Sequence, residues 1–248
     1  MNIIMTGSTS FVGAATVREL LRRGHTVTAI VRPKSSKLDT ILEGNEEALL
    51  SGRLLVTEND LSEPEKLLEK VTKPQDVFCH FGWGGSGSAS RTDKALQEKN
   101  MEISLETVRT AKALGCRKFL FSGSQAEYGM HQDLITEETV CEPKSLYGEA
   151  KLAMREKGEK LCGELGLRYI HARIFSAYGP GDHPWTLVES CLDAFLDNKE
   201  ISLGACTQNW NFLYIDDLAR GMAALCEAPE SAFEKISNPV FNFGGAET

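Results

Sequence analysis

No stretch of this chain approaches the ~20 apolar residues that cross a bilayer, and its opening MNIIMTGSTSFVG lacks the basic, apolar and small-residue order of a secretory leader. A cytoplasmic location is the expectation. CxxC pairs are missing too. Cys79, Cys116, Cys141, Cys162, Cys191, Cys206 and Cys226 are odd in number and scattered, which argues against a disulfide framework or zinc site and predicts reduced, mostly buried thiols. His25, His80, His131, His171 and His183 fall at no ligand spacing and HExxH is absent, so no metal is expected. Dense Lys/Arg stripes with interleaved aromatics are lacking, and the net charge of -8 repels a nucleic-acid backbone. The expected partner is a small molecule, not nucleic acid or a membrane.

The 248 residues, 42% of them apolar, are enough for one large core. Short Ile/Val/Phe-rich runs predict strands at Asn2–Thr6, Thr26–Val31, Leu54–Thr57, Asp76–Phe81, Lys118–Ser122 and Arg168–Ile174. Helical periods predict helices at Phe11–Arg23, Pro64–Val71, Thr92–Leu114 and Leu146–Leu165. This alternation predicts an α/β fold, a doubly wound parallel sheet of Rossmann type, filling residues 1–173. A glycine-serine stretch, Gly82–Ser90, follows the fourth strand, at the carboxyl edge where ligands of such sheets sit. Residues 174–248 are expected to form a small cap, with a helix at Trp185–Asp197 and a strand at Ile201–Leu203. It is interleaved with a core helix at about 216–228 and a last strand at Val240–Phe243.

The first strand runs into Thr6-Gly7-Ser8-Thr9-Ser10-Phe11-Val12-Gly13, and helical spacing begins at Phe11. Gly7 allows a tight turn, Gly13 allows close helix packing, and the amides at Phe11 and Val12 open a helix whose dipole suits a pyrophosphate. Ser10 stands where a middle glycine is usual, with a hydroxyl able to donate to phosphate. The alternative is a glycine turn with no ligand. The second strand ends in Arg32-Pro33-Lys34 without the acid that an NAD site places there. Arg32 offers a fork to a 2′-phosphate, with Lys34 and Lys37 nearby. NADP is therefore favoured modestly over NAD. Asp60 and Leu61 are placed to meet the adenine, though Asp60 serves equally well as the cap of the following helix.

Tyr147 and Lys151 stand at i and i+4 near a helix start, on one face. That spacing is common by chance, and Ser122-Gly123-Ser124, at the carboxyl end of the fifth strand, gives it weight. Together they suit hydride transfer at a carbon bearing a hydroxyl: Tyr147 moves the proton, Ser124 holds the oxygen, and Lys151 lowers the phenol and holds the nicotinamide ribose. Bringing a phenol from about 10 to about 7 needs about 4 kcal/mol, which an ammonium about 4 Å away supplies.

These residues resemble the extended short-chain dehydrogenase/reductase family, the NAD(P)-dependent nucleotide-sugar epimerases and dehydratases. The similar stretches are TGSTSFVG, HFGW from His80, Asn100, FSGSQAEYG, YGEAK, ARIFSAYGPG and NFLYIDDLARGM. The resemblance implies Ser124, Tyr147 and Lys151 as the catalytic set and Phe81 and Gly82 beside the cofactor. It implies a sugar nucleotide bound after Arg173 by Ser176, Trp210 and Asn211, and a homodimer joined through Thr92–Leu114 and Leu146–Leu165. Departures are Ser176 for a frequent Asn, Trp210-Asn211 for Arg-Asp, and Gln125-Ala126 for the Asp-Glu of dehydratases. Neither Gln125 nor Ala126 serves as acid or base, so dehydration is disfavoured. The chain stops at Glu247-Thr248 where relatives continue, so the cap is expected to be reduced or cut short. The expected reaction is epimerisation through a keto intermediate. The alternatives are NADPH-dependent reduction of a keto-sugar and, from another class, a dinucleotide sensor without turnover.

Overall fold

Ile3 and Met5 pack into one apolar cluster and Ile4 into another, the period-2 signature of a strand buried on both faces. This strand, β1 (Asn2–Thr6), lies inside a sheet completed by β2 (Thr26–Val31), β3 (Leu54–Glu58), β4 (Val77–His80), β5 (Lys118–Ser124), β6 (Arg168–Ile174) and β9 (Val240–Phe243). All pair in parallel, in the order β3-β2-β1-β4-β5-β6-β9. The short β7 (Ser176–Tyr178) and β8 (Phe212–Tyr214) pair separately. The computed structural model describes residues 1–85, 88–207 and 209–245. Positions 86 and 87 of the glycine-serine stretch, and Glu247-Thr248, lie outside the described residues.

The helices are α1 (Phe11–Arg22), α2 (Asp39–Leu42), α3 (Glu46–Leu50), α4 (Leu67–Lys70), α5 (Lys94–Ala113), α6 (Leu146–Leu165), α7 (Leu187–Leu196), α8 (Ile215–Glu227) and α9 (Glu230–Phe233). On one face of the sheet, Val17 and Leu20 of α1 pack with Leu218 and Met222 of α8. On the other, Val108 of α5 and Met154 of α6 pack against Phe78 and Phe119. Side-chain caps start the long helices: Ser10 for α1, Asp93 for α5 and Ser145 for α6. Each accepts an amide proton that the helix itself leaves unpaired. Gly166, at φ +67, ends α6.

The strands and long helices fall within a few residues of their predicted places, and two expectations need correction. Ile201–Leu203 is not a strand, because nothing among the described residues pairs with it; the pairing partners are Ser176–Tyr178 and Phe212–Tyr214, which the pattern did not reveal. The predicted helix Pro64–Val71 is a 3₁₀ turn at Pro64–Lys66 followed by the short α4. Cys79, Cys116, Cys162 and Cys226 are buried free thiols. No helix among the described residues is long and apolar enough to cross a membrane.

Candidate active site

The strand order reverses between β1 and β4, and a crevice opens beyond the carboxyl ends of two strands whose connections leave in opposite directions. Gly7 sits there at φ +70, where a Cβ would come within 2.6 Å of the Phe81 carbonyl carbon and 2.7 Å of Gly82 N. Only glycine fits. A Cβ on Gly13 would collide with the Gly7 carbonyl oxygen, so α1 starts directly on the turn. The Ser10 hydroxyl accepts the Gly13 N–H at 3.1 Å, which occupies its oxygen and leaves its proton for a ligand. Phe11 and Val12 occupy the first helical positions, whose amides find no acceptor within the helix.

Phe81 and Gly82 are held by a relay. Gly82 N–H donates to Thr6 Oγ1 (3.2 Å), which pairs with His80 Nδ1 (2.8 Å). His80 Nε2 pairs with Ser104 Oγ (3.0 Å), which donates to Asn100 O (2.8 Å). Because the Ser104 proton goes to a carbonyl, His80 donates from Nε2 and accepts at Nδ1. Burial, aided by the Lys151 charge, pushes His80 down to about 3, so it is neutral. The Asn100 amide clamps Gly84, accepting its N–H at 3.1 Å and donating to its carbonyl at 2.7 Å.

At the end of β2, Arg32, Lys34 and Lys37 are exposed. Asp60 is engaged with its own turn. Its Oδ1 accepts the Ser62 N–H (2.8 Å) and hydroxyl (2.7 Å), bonds that hold its carboxyl below the usual range. It caps this turn, whereas the following helical turn starts from Glu63 without a side-chain cap, so Asp60 is not the cap of that helix. Leu61 does reach the crevice: a Cβ on Gly82 would lie 2.8 Å from its Cδ1.

Ser124 ends β5, and Tyr147 and Lys151 lie on the first turns of α6, with 9% and 2% exposure. The Ser124 oxygen accepts the Ala126 N–H at 3.2 Å, and its hydroxyl is among the groups that favour the Tyr147 phenolate. The structure thus brings the three predicted catalytic residues together, but not with the expected effect on the phenol. Lys151 Nζ donates to the Ser122 carbonyl at 2.7 Å and sits 4.0 Å from the Trp83 ring centroid and 4.6 Å from that of Phe121. Burial draws the ammonium down to about 7. Burial also raises the Tyr147 phenol, against the pull of Ser124 and of Arg91, whose guanidinium lies 4.9 Å from the ring centroid. Desolvation outweighs the favourable charges because an anion there loses nearly all its water.

Of the residues expected to meet substrate, Trp210 Nε1–H donates to Ser176 Oγ at 2.6 Å, so these two form a unit. Asn211 is directed elsewhere: it donates to the Gly245 carbonyl at 3.0 Å and accepts the Gly245 N–H at 2.6 Å. Its amide pins the backbone beyond β9.

A model of the NAD dependent epimerase/dehydratase family matches residues 3–244. The chain belongs to this family. It is an NAD(P)-dependent enzyme of the extended short-chain dehydrogenase type. The uncharacterized UDP-glucose epimerase YtcB of Bacillus subtilis is 27% identical over 100% of this chain and 78% of its own. The probable UDP-glucuronate 4-epimerase of Rhizobium meliloti is 22% identical over 96% and 71%. Among solved structures, UDP-glucuronic acid 4-epimerase from Bacillus cereus in complex with NAD has a TM-score of 0.79 and 25% identity, covering 100% of this chain and 78% of its own. In this epimerase/dehydratase-family enzyme, Thr6, Trp83 and Ser104 also build the site; Thr6 and Trp83 lie inside the TGSTSFVG and HFGW stretches but nothing there singles them out, and Ser104 lies in none. Ser104 stands one turn after Asn100 on α5, which is the only sequence signal it carries.

Proposed function

We propose that this enzyme epimerises a nucleotide sugar at a hydroxyl-bearing carbon, by transient oxidation to the keto-sugar and reduction from the other face. The observation that carries this reading is the convergence of Ser124, at the carboxyl end of β5, with the buried Tyr147 and Lys151 of α6, beside the strand reversal. Relatives named as UDP-sugar 4-epimerases support C4 as the carbon and uridine diphosphate as the carrier.

The cradle of Gly7, Gly13, Phe81, Gly82 and Leu61, closed to any added Cβ, suits a flat dinucleotide lying across the crevice. Bound there, nicotinamide supplies a hydride acceptor and returns the hydride. Ser10 and the amides of Phe11 and Val12 would hold the pyrophosphate. Ser124 holds the substrate oxygen, Tyr147 takes its proton and later gives it back, and Lys151 holds the nicotinamide ribose and sets the field at the phenol. Ser176 with Trp210, in the cap over residues 174–248, presents a polar and aromatic edge to the sugar nucleotide. Arg32, exposed where no acid stands, favours NADP, although the solved neighbour binds NAD. A second reading, net reduction with NADPH, rests on the same Arg32.

Incubated with UDP-glucose or UDP-glucuronate, the enzyme is expected to form the C4 epimer by NMR without consuming added NADPH. Oxidation of NADPH by a keto-sugar with no epimer formed would favour reduction instead. Equal affinity for NADH and NADPH would remove the role given to Arg32. We also propose a cytoplasmic homodimer. The free thiols support the location. Pairing through α5 and α6 is what the family resemblance implies. Light scattering tests the dimer.

A further inference from the structure

Glu127 is the one carboxylate among the buried described residues, at 0% exposure, and it lies in the turn that follows Ser124. Its Oε1 accepts the Ser124 N–H at 2.8 Å. His171 Nε2 lies 2.9 Å from both oxygens, and Arg173 Nε donates to Oε2 at 2.7 Å. Tyr169 OH lies 2.9 Å from His171 Nδ1 and 3.2 Å from the Met154 carbonyl of α6; with His171 neutral and donating from Nε2 to Glu127, the Tyr169 proton goes to Nδ1. The Arg173 guanidinium rests 4.3 Å from the Tyr128 ring centroid. The network thereby joins the end of β5 to β6 and α6. It also explains Gly123, where a Cβ would collide with His171 Nε2 and come within 2.7 Å of Glu127 Oε1.

A buried ion pair gives little net stability over an apolar filling of the same shape. What an apolar filling would not do is accept the Ser124 N–H or place a negative charge behind the phenol and ammonium. Glu127 does not itself act as base, since both oxygens are taken by His171 and Arg173.

We propose that Glu127, held by His171 and Arg173, is a positioning residue that fixes the Ser124 turn and sets the charge balance at Tyr147 and Lys151. This rests on the catalytic set assigned above. The groups facing Glu127 are Tyr169, His171 and Arg173 of β6, Cys141 of the following loop, and Tyr147 and Lys151 of α6. His171 is buried and shifted toward its neutral form, so Arg173 carries the opposing charge. The Glu127 charge raises both Tyr147 and Lys151; its removal leaves Arg173 unopposed, and both groups move down.

The test is Glu127→Gln, read first by ultraviolet titration of Tyr147, taken as the difference from Tyr147→Phe in the same background, and then by turnover. The Tyr147 transition is expected to move down, since the Glu127 charge opposes the phenolate. Turnover of a UDP-sugar is expected to fall about tenfold or more, with KM and cofactor affinity within about twofold, since a lost transition-state contact lowers kcat. An unmoved transition with unchanged kcat would overturn the proposal. If Glu127→Gln does not fold, the neutral pair Glu127→Gln/Arg173→Gln replaces it, with loss of kcat again expected. Wild-type kcat in that pair, or failure of both variants to fold, would mean the network serves stability alone and overturn the proposal. Wild-type enzyme that turns over no UDP-sugar would count against the function proposed above, whereas the phenol titration would still judge Glu127.

Discussion

Tyr147, Lys151, His80 and Glu127 lie in the buried half of the molecule, whereas α7 buries no residue and exposes Phe195 and Leu196 at 68% and 84%. The first region is held by short bonds between elements far apart in sequence, such as Thr6 to His80 and Glu127 to Arg173. In the second, bonds such as that of Thr186 to Asp182 are mostly local. Proton movement requires fixed distances and tuned charge, and a buried, cross-linked region supplies them. A surface that accommodates a sugar needs fewer constraints and tolerates more change.

The sharpest way to break this contrast is Tyr147→Phe. Turnover is expected to fall about 10²- to 10⁴-fold, the usual worth of an acid-base group, while cofactor binding followed by fluorescence stays intact. Unchanged activity would remove the reacting role from the buried half.

Next in size is Gly7→Ala. The positive φ and the contact with Phe81 are expected to cost about 1–3 kcal/mol and to abolish cofactor binding in a calorimetric titration. Normal affinity would show that the crevice between β1 and β4 is not the cofactor site.

Acid sharpens the contrast through His80. The folded imidazole titrates near 3 and its ordinary value is 6.5, so the unfolded chain binds the proton first. Its contribution to stability is complete above pH 6.5 and shrinks as pH falls toward 3, by up to about 1.4 kcal/mol per pH unit. Below pH 4.5, Glu127, held down to about 2, adds a slope of the same sign. Denaturant midpoints against pH should follow this slope, and His80→Asn should flatten it between pH 6.5 and 4.5.

The smallest effects belong to the cap. Trp210→Phe removes the bond to Ser176, worth about 1 kcal/mol, and is expected to raise KM several-fold with little change in melting temperature. Phe195→Ser should leave stability within about 0.5 kcal/mol. A large loss of stability there would mean that the exposed helix is covered by something in solution.

Much of this was legible from the residues. The strand–loop–helix at Gly7–Gly13 and the i, i+4 pair Tyr147/Lys151 are local patterns, and local patterns survive folding. The Ile201–Leu203 strand failed because a strand exists only with a partner, and the partners formed elsewhere. Asp60 was ambiguous because a carboxylate near a turn start satisfies either a ligand or an amide, and the fold places the Ser62 amide and hydroxyl against it.

The sequence by itself determined the α/β alternation, the glycine turn, the absence of an acid at Arg32 and the Ser124/Tyr147/Lys151 set, since each depends on residue type and short spacing. Tertiary structure alone decided that Lys151 rests on Trp83 and the Ser122 carbonyl and that the Tyr147 phenol is raised by burial. It also decided that Asn211 holds Gly245 and that Glu127 braces Ser124 through His171 and Arg173. The physical reason is that desolvation and charge pairing depend on which distant segments exclude water from a group, and no local pattern records that.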